Sequence, residues 1–303
     1  MTLPATIALV KLLGSVLAVQ VLLGLALVAL VATDNVPFAD GDDGDDAPAA
    51  RPTVDRFDAE AAWRLLNAQV ELGPRPAGSP ASRQLAEKLR ELLPDGRFQA
   101  VPGGLRNVIG TVRGREPGYI VVGAHYDTKD IDGFVGANDG ASGTAVVTEL
   151  ARTVKSPRHT IHFVLFDGEE SPRGADDAEF VEKGLRGSKV AARRFRRARA
   201  MVLLDFVGDQ RLRIPREDLS NLRLWARLRR AAHRVGARRT FPDESRGAVQ
   251  DDHLPFLGVG VPAIDLIDFD FACWHRSCDD MSAVSKRSLD ASGESVLELI
   301  RNL

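Results

Sequence analysis

With 303 residues, 44% hydrophobic and 27% charged, the chain has the composition of an ordinary soluble globular protein and room for one large α/β domain or two small ones. Its net charge of −2 is unevenly spread, because residues 1–50 carry six aspartates against Lys11, which leaves the remainder only slightly basic. That surplus is too small to argue for a nucleic-acid partner.

Residues 1–11 read as a short cytoplasmic segment. Residues 12–32 are almost wholly apolar, broken only by glycines, Ser15 and Gln20. At ~1.5 Å per residue, such a helix crosses a hydrocarbon core of roughly 30 Å. Lys11 before it and the aspartates after it orient the amino terminus to the cytoplasm. The expectation is a transmembrane signal anchor, with membrane attachment through this helix and an extracytoplasmic domain. A cleaved, secreted form is the alternative, although Leu30-Val31-Ala32 has no small residue at the usual minus-three place. Residues 33–52, rich in Asp, Gly, Ala and Pro, read as an acidic disordered linker, and residues 53–303 as the folded domain.

Within that domain Asp58 is a candidate cap for a helix with Ala62, Leu65, Leu66 and Gln69 on one face, ending before Gly73-Pro74. A second helix spans 81–93, stopped by Pro94. Strands follow at 107–113 and 119–123, then a helix at 142–154 and a strand at 159–166. Helix 186–199, strand 201–207, helix 219–235, strand 263–267 and a closing amphipathic helix at 288–303 complete the series. This alternation predicts a single α/β domain with a mostly parallel mixed sheet covered by helices on both faces.

The chemistry gathers where strands end. The apolar run Ile161-His162-Phe163-Val164-Leu165 leads into Phe166-Asp167-Gly168-Glu169-Glu170, which places two adjacent glutamates at a strand's carboxyl edge, where open α/β sheets bind ligands. Burying two acids is costly unless a cation compensates. Candidate partners of zinc-ligand type are His125 and Asp127 after one strand, Asp139 in a glycine-rich loop, Asp205 after another strand, and His275 between Trp274 and Arg276. Adjacent residues on a strand diverge, so Glu169 and Glu170 need a turn to serve separate roles, and Gly168 allows one. Taken singly, each has a bland reading: a turn-forming aspartate, a core histidine, a solvated glutamate pair.

Cys273 and Cys278 bracket His275 and either form a small disulfide that stiffens its loop or stay reduced; thiolate ligation is less apt where carboxylates already fill that role. The basic runs at 193–197 and 227–230 read as solvated helix faces, with a lipid or polyanion site as the alternative. His162, Asp268 and Asp270 carry no assigned role.

Read together, Gly123-Ala124-His125-Tyr126-Asp127, Gly136-Ala137-Asn138-Asp139-Gly140, Asp167-Gly168-Glu169-Glu170, Leu204-Asp205 and Trp274-His275 resemble the zinc aminopeptidases of metallopeptidase family 28 and their relatives the glutaminyl cyclases, from about residue 57 onward. The resemblance implies a zinc-aminopeptidase-like fold acting on peptide or protein amino termini. It implies zinc held by Asp139, Glu170 and His275, with Glu169 as the proton-transfer base. A second zinc, where present, would sit on His125 and Asp205; in the cyclases the position of Asp205 joins a proton-handling network instead.

Three features lean towards the cyclase branch. The stretch Gln250-Asp251-Asp252-His253-Leu254-Pro255-Phe256-Leu257 is similar to a cyclase motif that assigns Asp251 to the catalytic network. Trp274 before His275 implies a substrate-pocket indole, and the segment 171–184 is longer than in a typical aminopeptidase. One feature departs: Asp265 stands where the cyclases place a histidine, so Asp251 is expected to face another acid, and such a pair would share a proton or need a cation. The expected activity is conversion of N-terminal glutamine to pyroglutamate with release of ammonia. The alternatives are zinc aminopeptidase hydrolysis and a non-catalytic peptide-binding ectodomain.

Overall fold

Strand His159–Phe166 has apolar side chains on both of its faces, and helices cover both. The structure, a computed structural model, describes residues 48–303, so the expected anchor at 12–32 and most of the expected linker lie outside the described residues. Among the described residues no helix is long and apolar enough to cross a membrane. Ala49 and Ala50, expected in the linker, are instead buried against the domain, with the Ala49 N–H donating to the Gln210 carbonyl.

The elements run α1 (Ala59–Val70), α2 (Pro80–Leu92), β1 (Arg97–Val101), β2 (Leu105–Val112), β3 (Glu116–His125), α3 (Ala141–Thr153), β4 (His159–Phe166), α4 (Phe180–Lys183), α5 (Arg186–Arg194), β5 (Met201–Asp205), β6 (Arg216–Glu217), α6 (Leu222–Arg234), β7 (Ser245–Arg246), α7 (Leu254–Gly258), β8 (Ala263–Ile267) and α8 (Lys286–Arg301). The six-stranded sheet has the order β1-β2-β4-β3-β5-β8. Its β1–β2 and β2–β4 pairs are antiparallel, and β4–β3, β3–β5 and β5–β8 are parallel. Strand β1 and the short α4, α7, β6 and β7 were not foreseen. The pattern of β1 is half-buried throughout most of its length, which gives a weak periodic signal.

Side chains alternate between two cores. Val122, Phe163, Val202 and Ile264 meet α1, α3, α6 and α8, whereas Val121, Val164, Leu203 and Ala263 meet α5 and α7. Helix α3 is buried from Ala141 to Ala151, between the sheet and α1 and α8. Its Gly143 permits that approach, since a Cβ there would lie 2.1 Å from the Leu204 carbonyl oxygen. Each fully buried Leu or Phe contributes roughly 1.5–3 kcal/mol. The parallel register then brings the ends of β3, β4 and β5 to one edge.

Candidate active site

At that edge His125 is the last residue of β3, Asp205 the last of β5, and Glu169 and Glu170 follow β4 after Asp167 and Gly168. Gly168 adopts φ +76°, which makes the expected turn between strand and glutamates. The turn is held from behind by Asp127, whose carboxylate accepts the N–H groups of Gly168, Glu169 and Glu170 at 2.9, 3.2 and 3.3 Å. Asp127 is therefore a backbone anchor and not one of the clustered ligand groups, which corrects its placement among the candidate ligands.

Two groups of side chains converge with ligand atoms within 4.8 Å of one another: His125, Asp139 and Asp205, and Asp139, Glu170 and His275. Asp139 belongs to both. Its Oδ1 lies 3.3 Å from His125 Nε2, which is also 3.3 Å from Asp205 Oδ1; its Oδ2 lies 3.5 Å from His275 Nε2, itself 3.2 Å from Glu170 Oε1. His125 Nδ1 meets the Asp127 carbonyl at 3.1 Å, and a carbonyl can only accept, so this nitrogen carries the proton and Nε2 faces the carboxylates. The Asp139 Oδ2 is buried without a hydrogen-bond donor. A buried, partnerless carboxylate oxygen facing imidazole nitrogens and further carboxylates fits a divalent metal of the zinc type.

The Asp139 backbone is pinned from the loop that also carries His275. Asp279 accepts from Asn138 N and Asp139 N at 2.7 and 3.0 Å, while Cys273 and Cys278 are joined in a disulfide. One short bridged loop thus grips Asp139 from the main chain and faces it with an imidazole. His275 at φ +52° and Phe206, directly after Asp205, at φ +44° hold left-handed backbone that costs on the order of 1 kcal/mol or more each.

Asp139, Glu169, Glu170, Asp205 and His275 line a cavity of about 420 Å³ together with Asp251, Trp274, Phe206, Phe269 and Lys129. Burial, reinforced by the Glu170 carboxylate, pushes the Glu169 carboxyl well above its ordinary value. For Glu170 burial acts upward, but the His275 and Lys129 cations outweigh it and hold the carboxyl low; Lys129 Nζ lies 3.1 Å from Glu170 Oε2. The adjacent glutamates are thus pushed apart, one towards the proton-holding form and one towards the anion.

Asp251 and Asp265 face each other, as expected from sequence. Burial raises both carboxyls far above the ordinary range, reinforced at Asp251 by the Asp205 and Asp252 carboxylates and at Asp265 by those of Asp251 and Asp205. Behind Asp265, the buried His253 lies 3.6 Å away through Nδ1 and 3.5 Å from Glu217 through Nε2. Trp274 is 43% exposed, its ring 5.0 Å from Phe269 and 4.7 Å from His275. Segment 171–184 brings Asp177 and Phe180 to the rim of the cavity.

Sequence reasoning missed Arg75, Lys129 and Asp279. Arg75 is fully buried and donates to the carbonyls of Gln69, Gly73, Val135 and Gly136, the last two in the loop before Asp139. The run of prolines and glycines at 72–80 marks that loop as rigid, but carries no sign that its arginine points inward.

A mixed α/β sheet with a histidine–carboxylate cluster at its carboxyl edge defines a metal-competent enzyme of the zinc-exopeptidase type. The chain belongs to peptidase family M28, whose family model matches residues 107–300. It is 28% identical over 272 residues to the glutaminyl-peptide cyclotransferase of Bos taurus, covering 73% of this chain and 75% of that one. Among solved structures it is similar to Porphyromonas gingivalis glutaminyl cyclase, with TM-score 0.73 and 30% identity over 82% of this chain and 99% of that chain. It is also similar to a leucine aminopeptidase precursor from Bacteroides thetaiotaomicron, with TM-score 0.74 and 29% identity over 83% and 99%.

Proposed function

We propose that this chain is a zinc-dependent glutaminyl-peptide cyclotransferase acting on peptides that begin with glutamine. The observation that carries the reading is the paired environment of Glu169 and Glu170: Glu169 is buried, makes no ion pair among the described residues and is biased towards protonation, while Glu170 is held as an anion beside His275 and Lys129. Asp139, Glu170 and His275 would hold zinc, which when bound supplies Lewis-acid polarisation of the side-chain amide carbonyl.

The substrate's own α-amine is the nucleophile. It bonds to the side-chain carbonyl carbon, and the bond from that carbon to the amide nitrogen breaks. Glu169 takes the proton released by the amine and delivers it to the departing nitrogen, so that ammonia leaves and pyroglutamate remains. Asp205 with Asp251 stabilises the tetrahedral stage, and Trp274 with Phe269 walls the pocket around the side chain. Such a role suits a carboxyl whose pKa is raised by burial, since it must both accept and return a proton.

The second reading, a zinc aminopeptidase, is favoured by one observation: the His125–Asp139–Asp205 group is complete and would hold a second zinc. The number of zinc ions, and anchorage outside the cytoplasm by residues 12–32, belong to the same proposal. The test uses the zinc-loaded protein and a peptide beginning with glutamine, followed by mass spectrometry. Loss of the mass of ammonia from an otherwise intact peptide supports cyclisation; release of free glutamine overturns it in favour of hydrolysis. Glu169→Gln should lower kcat by about 10²–10⁴ with zinc content unchanged.

A further inference from the structure

A second cavity, of about 470 Å³, lies at the opposite end of the sheet from the active site. Its floor follows from strand register. Arg97 stands opposite Ile109, Thr111 opposite His162, and Tyr119 opposite Thr160, so these side chains share one face of β1, β2, β3 and β4. Further along that face Val121 and Val164 are buried under α5. Helix α5 ends at Arg194, and beyond it the sheet face is uncovered and polar. Phe195 closes the helix end, with the His162 ring set 4.8 Å from its ring and 5.2 Å from that of Tyr119.

Four arginines surround this floor. Arg97 and Arg113 line the cavity, Arg97 donating to Thr111 Oγ1 at 3.2 Å, and Thr111 in turn meeting His162 Nδ1 at 3.1 Å. Arg194 is close enough to act electrostatically on both Arg97 and His162, and the Arg199 side chain lies against Gly118 on the rim. Among the described residues none of these four is held in an ion pair, whereas Arg106, Arg158, Arg229 and Arg234 elsewhere on the surface are each paired with an acid. Asp95 on the rim offsets part of the charge. Burial, then Arg97 and Arg194, hold His162 down at about 4, so it is a neutral imidazole at pH 7.

We propose that this depression is a binding site for a phosphate group, gripped by Arg97 and Arg113 with Arg194 and Arg199 at the rim. Guanidinium forks match the oxygens of a tetrahedral anion, hydroxyls of Thr111 and Thr160 lie on the floor, and the cavity has room for more than the anion itself. The phosphate arrives either on a soluble molecule or as a lipid headgroup. The proposal is independent of the reaction at the other end of the sheet.

The experiment titrates inorganic phosphate into the full zinc-loaded chain at constant ionic strength and follows histidine ring resonances, with His162→Gln identifying the relevant signal. Binding should shift the His162 resonance saturably and raise its pKa, because a dianion would stabilise the imidazolium. Arg97→Gln/Arg113→Gln should weaken binding by about tenfold or more, while Arg223→Gln/Arg230→Gln, an equal loss of charge on exposed positions of α6, should leave it unchanged. A parallel arm repeats the titration with a short-chain phosphatidic acid below its micelle concentration, with the matching phosphatidylcholine as control. A saturable His162 shift that needs phosphatidic acid, is tighter than that of inorganic phosphate and fails in the Arg97/Arg113 variant identifies a lipid source, and phosphate binding with no gain from the lipid a soluble one. No saturable shift in either arm, or equal weakening by the two double variants, overturns the proposal.

Discussion

Replacing Arg75 by alanine tests whether the metal-competent loop is built from behind. The guanidinium is fully buried, pushed down to about 10 by burial against the pull of Asp279, Asp139 and Asp127, and so still charged at pH 7. Three of its bonds, to the carbonyls of Gln69, Gly73 and Val135, are 2.9–3.0 Å long, and the fourth, to Gly136, is 3.4 Å. At roughly 1.5–3 kcal/mol for each bond to a charged group, the three short ones represent about 4–9 kcal/mol. Against this stands the cost of burying the charge: the fall from the ordinary guanidinium value to about 10 corresponds to about 3 kcal/mol at 1.36 kcal/mol per pKa unit. Arg75→Ala should therefore destabilise by about 1–6 kcal/mol in urea titration and also lower zinc affinity, because the loop before Asp139 loses its anchor. Arg75→Lys, without the fork, should recover only part of both. A loss below about 1 kcal/mol with normal zinc affinity would refute the role assigned to this residue.

Asp139→Ala and His275→Ala should each lower zinc content as measured by atomic absorption on the dialysed protein, with Asp139→Ala the more severe because it belongs to both ligand groups; full occupancy in either would remove it from the site. Cys273→Ser closes no loop, and the chain-entropy model for so short a loop predicts about 2 kcal/mol lost at 25 °C; the same change should weaken zinc binding through His275, and an unchanged zinc affinity would separate the bridge from the site. Asp268 is raised to about 7 by burial, partly opposed by the Arg213 N–H. Its folded value lies above its unfolded one, so its contribution is fully present below about pH 4 and is lost as pH rises through 7. Asp268→Asn should thus match the wild type in stability near pH 4 and exceed it at pH 8 by on the order of 4 kcal/mol, and chemical denaturation at the two pH values checks this.

The helix caps and strand ends were readable in the chain because their signals are local. Asp58 caps α1 through the Ala61 N–H, Pro94 follows the end of α2, and β4 and β8 fall on their expected bounds, since apolar runs between turn formers admit few other structures. The end of α5 fell short of expectation, at Arg194 instead of 199, because basic residues continue the helical pattern after packing has stopped, while α6 begins at Leu222 instead of 219, behind its Asn221 cap. The order of motifs along the chain also pointed to Asp139, Glu169, Glu170, Asp205 and His275 as one set at a shared carboxyl edge, with Asp251 added by the resemblance of its motif to that of the cyclases.

Only the tertiary structure decided which groups meet and which support them. That Asp139 belongs to both ligand groups, that Asp127 holds the glutamate turn instead of joining them, and that Asp279 pins the Asp139 backbone depend on contacts across 14 to 141 positions of chain. Arg75 faces inward because the carbonyls of Gln69, Gly73, Val135 and Gly136 converge on it, and a loop sequence does not encode where its neighbours' carbonyls point. The sequence by itself determined the residue types and the strand ends that carry the chemistry. Their distances, their charges and the uncovered basic face beyond α5 arise from packing, which acts between segments far apart in the chain.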